Sequence, residues 1–319
     1  MSASRVISVM VLGPVMLLGL VTVVRPAVAQ PNLGEVEIHV EHVQGNVYLL
    51  VGAGGNTTVQ AAEDGVLIVD TQFAPLAPKL MAAIRQLSDG PVRWIINTHP
   101  HPDHVGGNDA LRALVPVDNA RPLKMVAHEN TLRWLSRQDP PFPPDGRPLD
   151  SYATPTKTWH FNGEAIVVSH QPRAHTDGDS FVFFRGSDVV SAGDIFTPGR
   201  YPAIDVDRGG SVQGEIAALN RLLELTVPER TQEGGTYVVP GHGRICDEAD
   251  VVEYRDMVVI IRDRIQDMIT AGLTLAQVQA ERPSRDYDTQ YAAAGSFVQP
   301  EAFVEAIYRS LTDPPAEER

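Results

Sequence analysis

The chain has 319 residues, 43% of them hydrophobic, with 26 Gly and 25 Pro. That is enough apolar matter for a packed core, in a loop-rich α/β protein rather than a helical bundle. A formal net charge of −14 argues against a nucleic-acid partner, which needs a basic track along the phosphates.

The N-terminus reads as an address. Arg5 supplies a positive start, residues 6–24 are mostly apolar, and Ala27-Val28-Ala29 before Gln30 has the small-x-small pattern of a cleavage site. Residues 1–29 are therefore expected to be a signal peptide, and the mature protein to be exported, periplasmic or secreted, without stable membrane association. An uncleaved anchor is the competing reading, because the apolar stretch approaches bilayer length. Cleavage removes Arg5 and Arg25 and no acid, taking the charge from −14 to −16.

Alternating apolar residues predict strands over 36–43 and 47–51, joined at Gln44-Gly45-Asn46, and a hairpin over 57–61 and 65–69. A helix over 74–87 leads to the apolar run 92–96. A further helix carries Ala110 and Leu114, and another covers 129–136. Residues 139–148 hold five prolines and read as a lid or rim. Strands follow over 165–169, 181–184 and 237–239, with an apolar run at 189–192. Over 211–225, Ile216, Leu219, Leu222 and Leu223 give a helix one apolar face. Beyond Gly243, Val251, Tyr254, Met257, Val258, Ile261, Ile265 and Met268 fall at helical spacing. With short helices at 275–281 and 301–311, residues 246–319 read as a C-terminal helical extension packed on the domain formed by 30–245.

One segment carries most of the chemistry. Thr98-His99-Pro100-His101-Pro102-Asp103-His104-Val105-Gly106-Gly107-Asn108 places three imidazoles and a carboxylate in six positions. That donor set, with no cysteine nearby, suits a borderline cation such as zinc. In an extended segment His99 and His101 share a face, and Pro100 and Pro102 stiffen the extension. Asp103 and His104 then leave in a new direction, which suits a second ion. Further candidates sit beside glycines at strand ends: His175 in Ala174-His175-Thr176-Asp177-Gly178, Asp194 in Ala192-Gly193-Asp194, and His242 in Gly241-His242-Gly243.

That order of motifs, from about Gly45 to Gly243, resembles the metallo-β-lactamase superfamily. The resemblance implies a four-layered αββα sandwich with metal loops along one edge. It also implies one zinc site of His99, His101 and His175, a second of Asp103, His104 and His242, and Asp194 bridging them. Asp70 would lie behind the metals as a hydrogen-bond acceptor. Dedicated zinc β-lactamases of the family often have cysteine where Asp194 stands, so the likeness leans to its broader hydrolases, such as glyoxalase II and the lactonases.

The implied activity is hydrolysis of a small cyclic or activated acyl substrate: a β-lactam, lactone or thioester. Hydroxide from a water shared by two Zn2+ ions would attack the carbonyl, with Asp103 orienting it and carrying a proton. Iron is the alternative metal, in a mononuclear persulfide dioxygenase, and a non-catalytic extracytoplasmic binding or assembly protein is a third reading. Arg200 and Tyr201, just after Asp194, are expected near the site mouth, as a clamp for a substrate carboxylate and an oxyanion donor. His128, His160 and His170 read as structural or surface histidines. Cys246, the single cysteine, reads as a buried small hydrophobe or a redox-sensitive thiol.

Overall fold

Period-two alternation sends the two faces of each strand to different cores. In the computed structural model, which describes residues 32–228, 230, 234–292 and 296–313, the first sheet runs β1 (His39–Gln44), β2 (Val47–Val51), β3 (Thr57–Ala62), β4 (Gly65–Val69), β5 (Val92–Ile96) and β6 (Lys124–Val126). Along β4, Leu67 and Val69 point to the second sheet, while Val66 and Ile68 point outward to helix packing. The outer partners are Leu80 and Ile84 of α1 (Ala77–Leu87) and Leu111 of α3 (Asn108–Leu114).

The second sheet has the order β11 (Tyr237–Pro240), β10 (Val189–Gly193), β9 (Ser180–Phe184), β8 (Glu164–His170) and β7 (Thr156–Phe161). Val182, Phe184, Ile166 and Val168 meet the first sheet. Phe181 and Phe183 face the other way. They join Ile216, Leu219 and Leu222 of α5 (Val212–Leu225), Met257 and Ile261 of α6 (Glu248–Thr270), and Phe303 and Ile307 of α9 (Pro300–Thr312) in one core. The layers are thus helix, sheet, sheet, helix, the αββα sandwich, with C-terminal helices added to one outer layer. Residues 31–319 form one compact unit.

The strand directions place the site. β4, β5 and β6 are mutually parallel, and so are β10 and β11. Loops that leave the carboxyl ends of parallel strands converge at one edge, where α/β sheets bind ligands. Asp70, Thr98, Asp194 and Gly241 each follow such an end. Cross-sheet hydrogen bonds bring the two sets together: Asn56 N–H donates to the Gly241 carbonyl and Ser180 N–H to that of Thr98.

Three expectations need revision. The first strand starts at His39, not Val36, because Val36 and Ile38 pack on the outer helical core instead. The helix after the histidine motif is two, α2 (Pro102–Val105) and α3, separated at Gly106-Gly107. β6, β7 and α8 (Asp288–Tyr291) were not expected. β7 is an edge strand whose burial does alternate, with Lys157, Trp159 and Phe161 on the inner face, but a lysine on that face and only one buried residue leave TKTWHF without a clear apolar pattern. The α6 stripe behaves as read, with Val251, Tyr254, Met257, Val258, Ile261 and Ile265 buried. Residues 1–29 lie outside the described residues, and no described helix is long and apolar enough to cross a membrane.

Candidate metal centre

The histidine motif does locally what its prolines dictate. His101 keeps an extended backbone (φ −71°, ψ 146°), and Pro102 opens the single turn of α2, which carries Asp103 and His104. Two glycines let the surrounding loops close in. A Cβ on Gly55 would sit 2.2 Å from Cε1 of His104, and one on Gly241 would sit 2.0 Å from Oδ1 of Asp194.

All seven expected residues meet at this edge, in two adjoining groups. His99, His101, His175 and Asp194 offer donor atoms mutually within 4.8 Å, as do Asp103, His104 and His242. Asp194 faces both groups with different oxygens. Its Oδ2 is 3.9 Å from His99 Nε2 and 3.8 Å from His175 Nε2, while Oδ1 is 3.1 Å from His104 Nε2 and 3.5 Å from His242 Nε2. Asp103 Oδ2 lies 3.3 Å from His242 Nε2. Donors bound tetrahedrally at zinc–nitrogen distances sit about 3.3 Å apart, which these separations bracket.

A third grouping, Asp70 with His99 and His104, has another explanation. Asp70 accepts from Thr98 N–H at 2.8 Å, from Thr98 Oγ1 at 2.6 Å and from His104 Nδ1 at 2.8 Å. Its oxygens are committed, so it orients His104 rather than ligating, the role expected for it.

In His99, His101, His104 and His175 the outer nitrogen is tied to a partner, which fixes what the inner nitrogen presents. Thr98 Oγ1 donates to Asp70 and so accepts from His99 Nδ1, at 2.9 Å. His175 Nδ1 donates to the Ala203 carbonyl, and His101 Nε2 donates to Asp205 Oδ2 at 2.9 Å. His175 Nε2 and His101 Nδ1 then face one another across 2.8 Å, a contact satisfied either by a proton held between the two nitrogens or by a metal ion that takes both as donors. His99 Nε2, His104 Nε2 and Asp194 Oδ1 are buried without a hydrogen-bond partner. Such orphaned atoms cost about 1–3 kcal/mol each, and a metal ion would satisfy all of them. The residues fit one or two divalent ions.

The electrostatics divide the rings: burial lowers His104, but Asp194 and Asp70 outweigh it and lift the ring well above its usual range, so without a metal it carries a proton. Burial, reinforced by His104, holds the His99 imidazole well below its usual range, and burial with His101 brings His175 down to about 4. Both rings are neutral and offer lone pairs at ordinary pH. Burial alone would raise Asp194, but His104 and His242 outweigh it and keep its carboxyl well below the usual range. The same attraction overcomes burial at His242 and lifts it to about 9. Asp194 thus draws positive charge to the space it shares with the rings.

Asp205 is the positioning residue that sequence reasoning missed. It sits in an irregular loop and has no motif around it; only its contacts with His101 and Arg208 reveal it. Those two partners outweigh burial and hold its carboxyl far below the usual range.

Tyr201 corrects another expectation. It is buried, donates its hydroxyl to the Ser284 carbonyl and Asp288 Oδ1, and stacks on Phe303, so it anchors the C-terminal helices rather than an oxyanion. Arg200 does lie toward the mouth: its guanidinium is 5.3 Å from the Phe297 ring, itself 6.1 Å from His242. The proline-rich rim is held down by Phe142, buried with Val105 and Leu135. His128 and His170 stack on one another at 3.5 Å, away from the donor groups, and His160 is exposed. Cys246 is buried, and burial pushes its thiol up to about 12, which fits a packed small side chain.

Comparison with known proteins agrees with this geometry. A family model described as the metallo-beta-lactamase superfamily matches residues 42–242. A linear primary-alkylsulfatase from Pseudomonas sp. (strain ATCC 19151) is 43% identical over 51 residues, 16% of this chain and 10% of that protein. The solved stereoselective inverting sec-alkylsulfatase from Pseudomonas sp. is similar over 86% of this chain and 50% of its own, with 15% identity and a TM-score of 0.62. A metallo-beta-lactamase from Pontibacter korlensis is similar over 70% of this chain and 99% of its own, with 18% identity and a TM-score of 0.55. At such identities the solved structures speak for the fold alone. The chain spans half the length of the sulfatase it resembles in structure, and a tenth of the curated sulfatase is matched.

Proposed function

The chain belongs to the metallo-beta-lactamase superfamily, and from that premise we propose that it is a dizinc hydrolase acting on a small molecule with an activated acyl or ester bond. The observation that carries this reading is the convergence of donor atoms: two facing ring nitrogens at 2.8 Å, with buried atoms of His99, His104 and Asp194 that lack a hydrogen-bond partner around them. His99, His101 and His175 would hold one ion, and Asp103, His104 and His242 the other. Asp194, with one oxygen toward each group, would bridge them. Bound zinc supplies a water with its pKa lowered to about 7 and a Lewis acid for a substrate oxygen.

The chain's own residues do the rest. Asp70, Asp205, Thr98 and the Ala203 carbonyl orient the rings of His104, His101, His99 and His175, so the three-histidine donor set is held in place before any ligand arrives. Asp103 is the donor carboxylate most open to solvent, its side chain 27% exposed against 10% for Asp194. It is placed to orient an attacking water and accept its proton. No serine or cysteine nucleophile is needed, and Cys246 is buried too deeply to serve.

Two substrate classes fit. The acyl reading, lactam, lactone or thioester, follows from the donor pattern with Asp at position 194. The sulfate-ester reading is supported by the 43% local identity to an alkylsulfatase, and it needs the same water and the same ions. Export, read from residues 1–29, belongs to the proposal. The test is metal content followed by turnover of chromogenic lactam, lactone, thioester and aryl sulfate substrates. Zinc with hydrolysis of any one supports the reading. A single iron with oxygen consumption would replace it with the dioxygenase, and full zinc without turnover on the panel would point to the binding protein.

A further inference from the structure

We propose that the C-terminal segment from Ser296 into α9 forms, with the loop after Tyr201, a groove beside the metal centre that takes the hydrocarbon tail of an anionic substrate. This rests on the hydrolase reading and names the substrate class for the same site.

The groove follows from how the loop is pinned. Tyr201 is drawn into the C-terminal core by its hydroxyl, so the next residues are fixed between the donor histidines and α9. Through the Ala203 carbonyl and Asp205 the loop orients His175 and His101. Across from it, a cavity of about 320 Å3 opens at His101 and is walled by Pro202, Ile204, Val206, Val298, Ala302 and Ala306. Sites for small molecules span roughly 300–1,000 Å3, so this one has room for a single chain. Ala302 and Ala306 are one turn apart on one face of α9, and their small side chains keep open a space that larger ones would fill. Phe303, Val304 and Ile307 meanwhile pack α9 into the core. At the far end Arg309 pairs with Asp207 at 2.6 Å.

The near end explains the anion. Phe297 is 79% exposed and stands beside His242, and Val298, the next residue, lines the groove that begins at His101. The segment thus crosses the mouth from one donor group to the other. Arg200 lies over Phe297, with no carboxylate in ion-pair range among the described residues. A cation and an apolar ring at the mouth, with an apolar groove leading away, match an anionic head and a hydrocarbon tail.

The probes are butyl, octyl and dodecyl sulfonate, which cannot be hydrolysed, titrated calorimetrically into the metal-loaded protein below their micelle concentrations. Affinity should rise about fourfold per methylene while the groove fills. Ala302→Trp should flatten that dependence and leave butyl sulfonate binding and thermal stability unchanged. Arg200→Ala should weaken all three sulfonates alike. Should Ala302→Trp fail to fold, Val298→Asp on the opposite wall makes the same test. Equal affinity for all chain lengths, or an unaltered slope in the filled variant, overturns the groove. Binding is read without turnover, so the two readings fail separately: lactam hydrolysis with no sulfonate binding sinks the groove alone, and chain-dependent binding with no hydrolysis sinks the hydrolase alone.

Discussion

Replacing Asp70 by alanine should damage both the fold and the metal centre, and by separable amounts. The carboxylate is 2% exposed and accepts three hydrogen bonds, from the Thr98 amide, the Thr98 hydroxyl and His104 Nδ1. The Thr98 hydroxyl keeps His99 as a partner, but the amide and the imidazole N–H are left buried and unpaired. At about 1–3 kcal/mol for each stranded donor, with loss of a residue that tolerates the left-handed φ of 61°, the metal-free protein should lose about 3–5 kcal/mol. Urea unfolding reads this term. Loss of the acceptor that orients a ligating histidine should also weaken metal affinity ten- to a hundredfold, read by competition with a chromogenic chelator. Asp70→Asn retains a carbonyl oxygen for the Thr98 amide and should recover much of the stability, but less of the affinity. Unchanged affinity in a destabilised Asp70→Ala protein would refute the orienting role and leave Asp70 a purely structural acceptor.

Asp205→Ala should lower metal affinity about tenfold, because it frees the His101 ring, and should cost about 0.5–2 kcal/mol of stability, because Asp205 also caps the turn at Arg208; chelator competition beside thermal melting checks both. His128 is held down to about 4, chiefly by burial and then by the stacked His170. The unfolded chain, near the usual 6.5, therefore takes a proton first as pH falls, and stability should drop between about pH 6.5 and pH 4. A pH series of urea midpoints should show this slope, and it should be shallower in His128→Phe. Native Cys246, with its thiol raised to about 12, should resist a thiol reagent at pH 8 and react once urea is added; fast native labelling would revive the redox reading.

The donor set was legible because its chemistry is dense and local. Six positions hold His99, His101, Asp103 and His104, and prolines dictate their directions. The αββα layering was legible for a similar reason, since strands such as β4 bury both faces and are bounded by turns. What stayed hidden depends on contacts distant in sequence. Asp205 is an ordinary loop aspartate until folding brings it to His101, 104 residues away. Tyr201 lies seven positions after Asp194, yet its hydroxyl is claimed by Ser284 and Asp288. β7 alternates in burial, but its inner face opens with Lys157, so the sequence shows no apolar period. Phe297 reaches the mouth only because α9 folds back across it.

Metal stoichiometry tests the central claim most directly. Elemental analysis of the purified protein after zinc loading should find two zinc ions per chain. His175→Ala, which removes one donor from the His99, His101 and Asp194 group, should retain the other ion and lose hydrolysis. A protein that binds no zinc, or a His175→Ala variant that keeps both ions and full activity, would contradict the account.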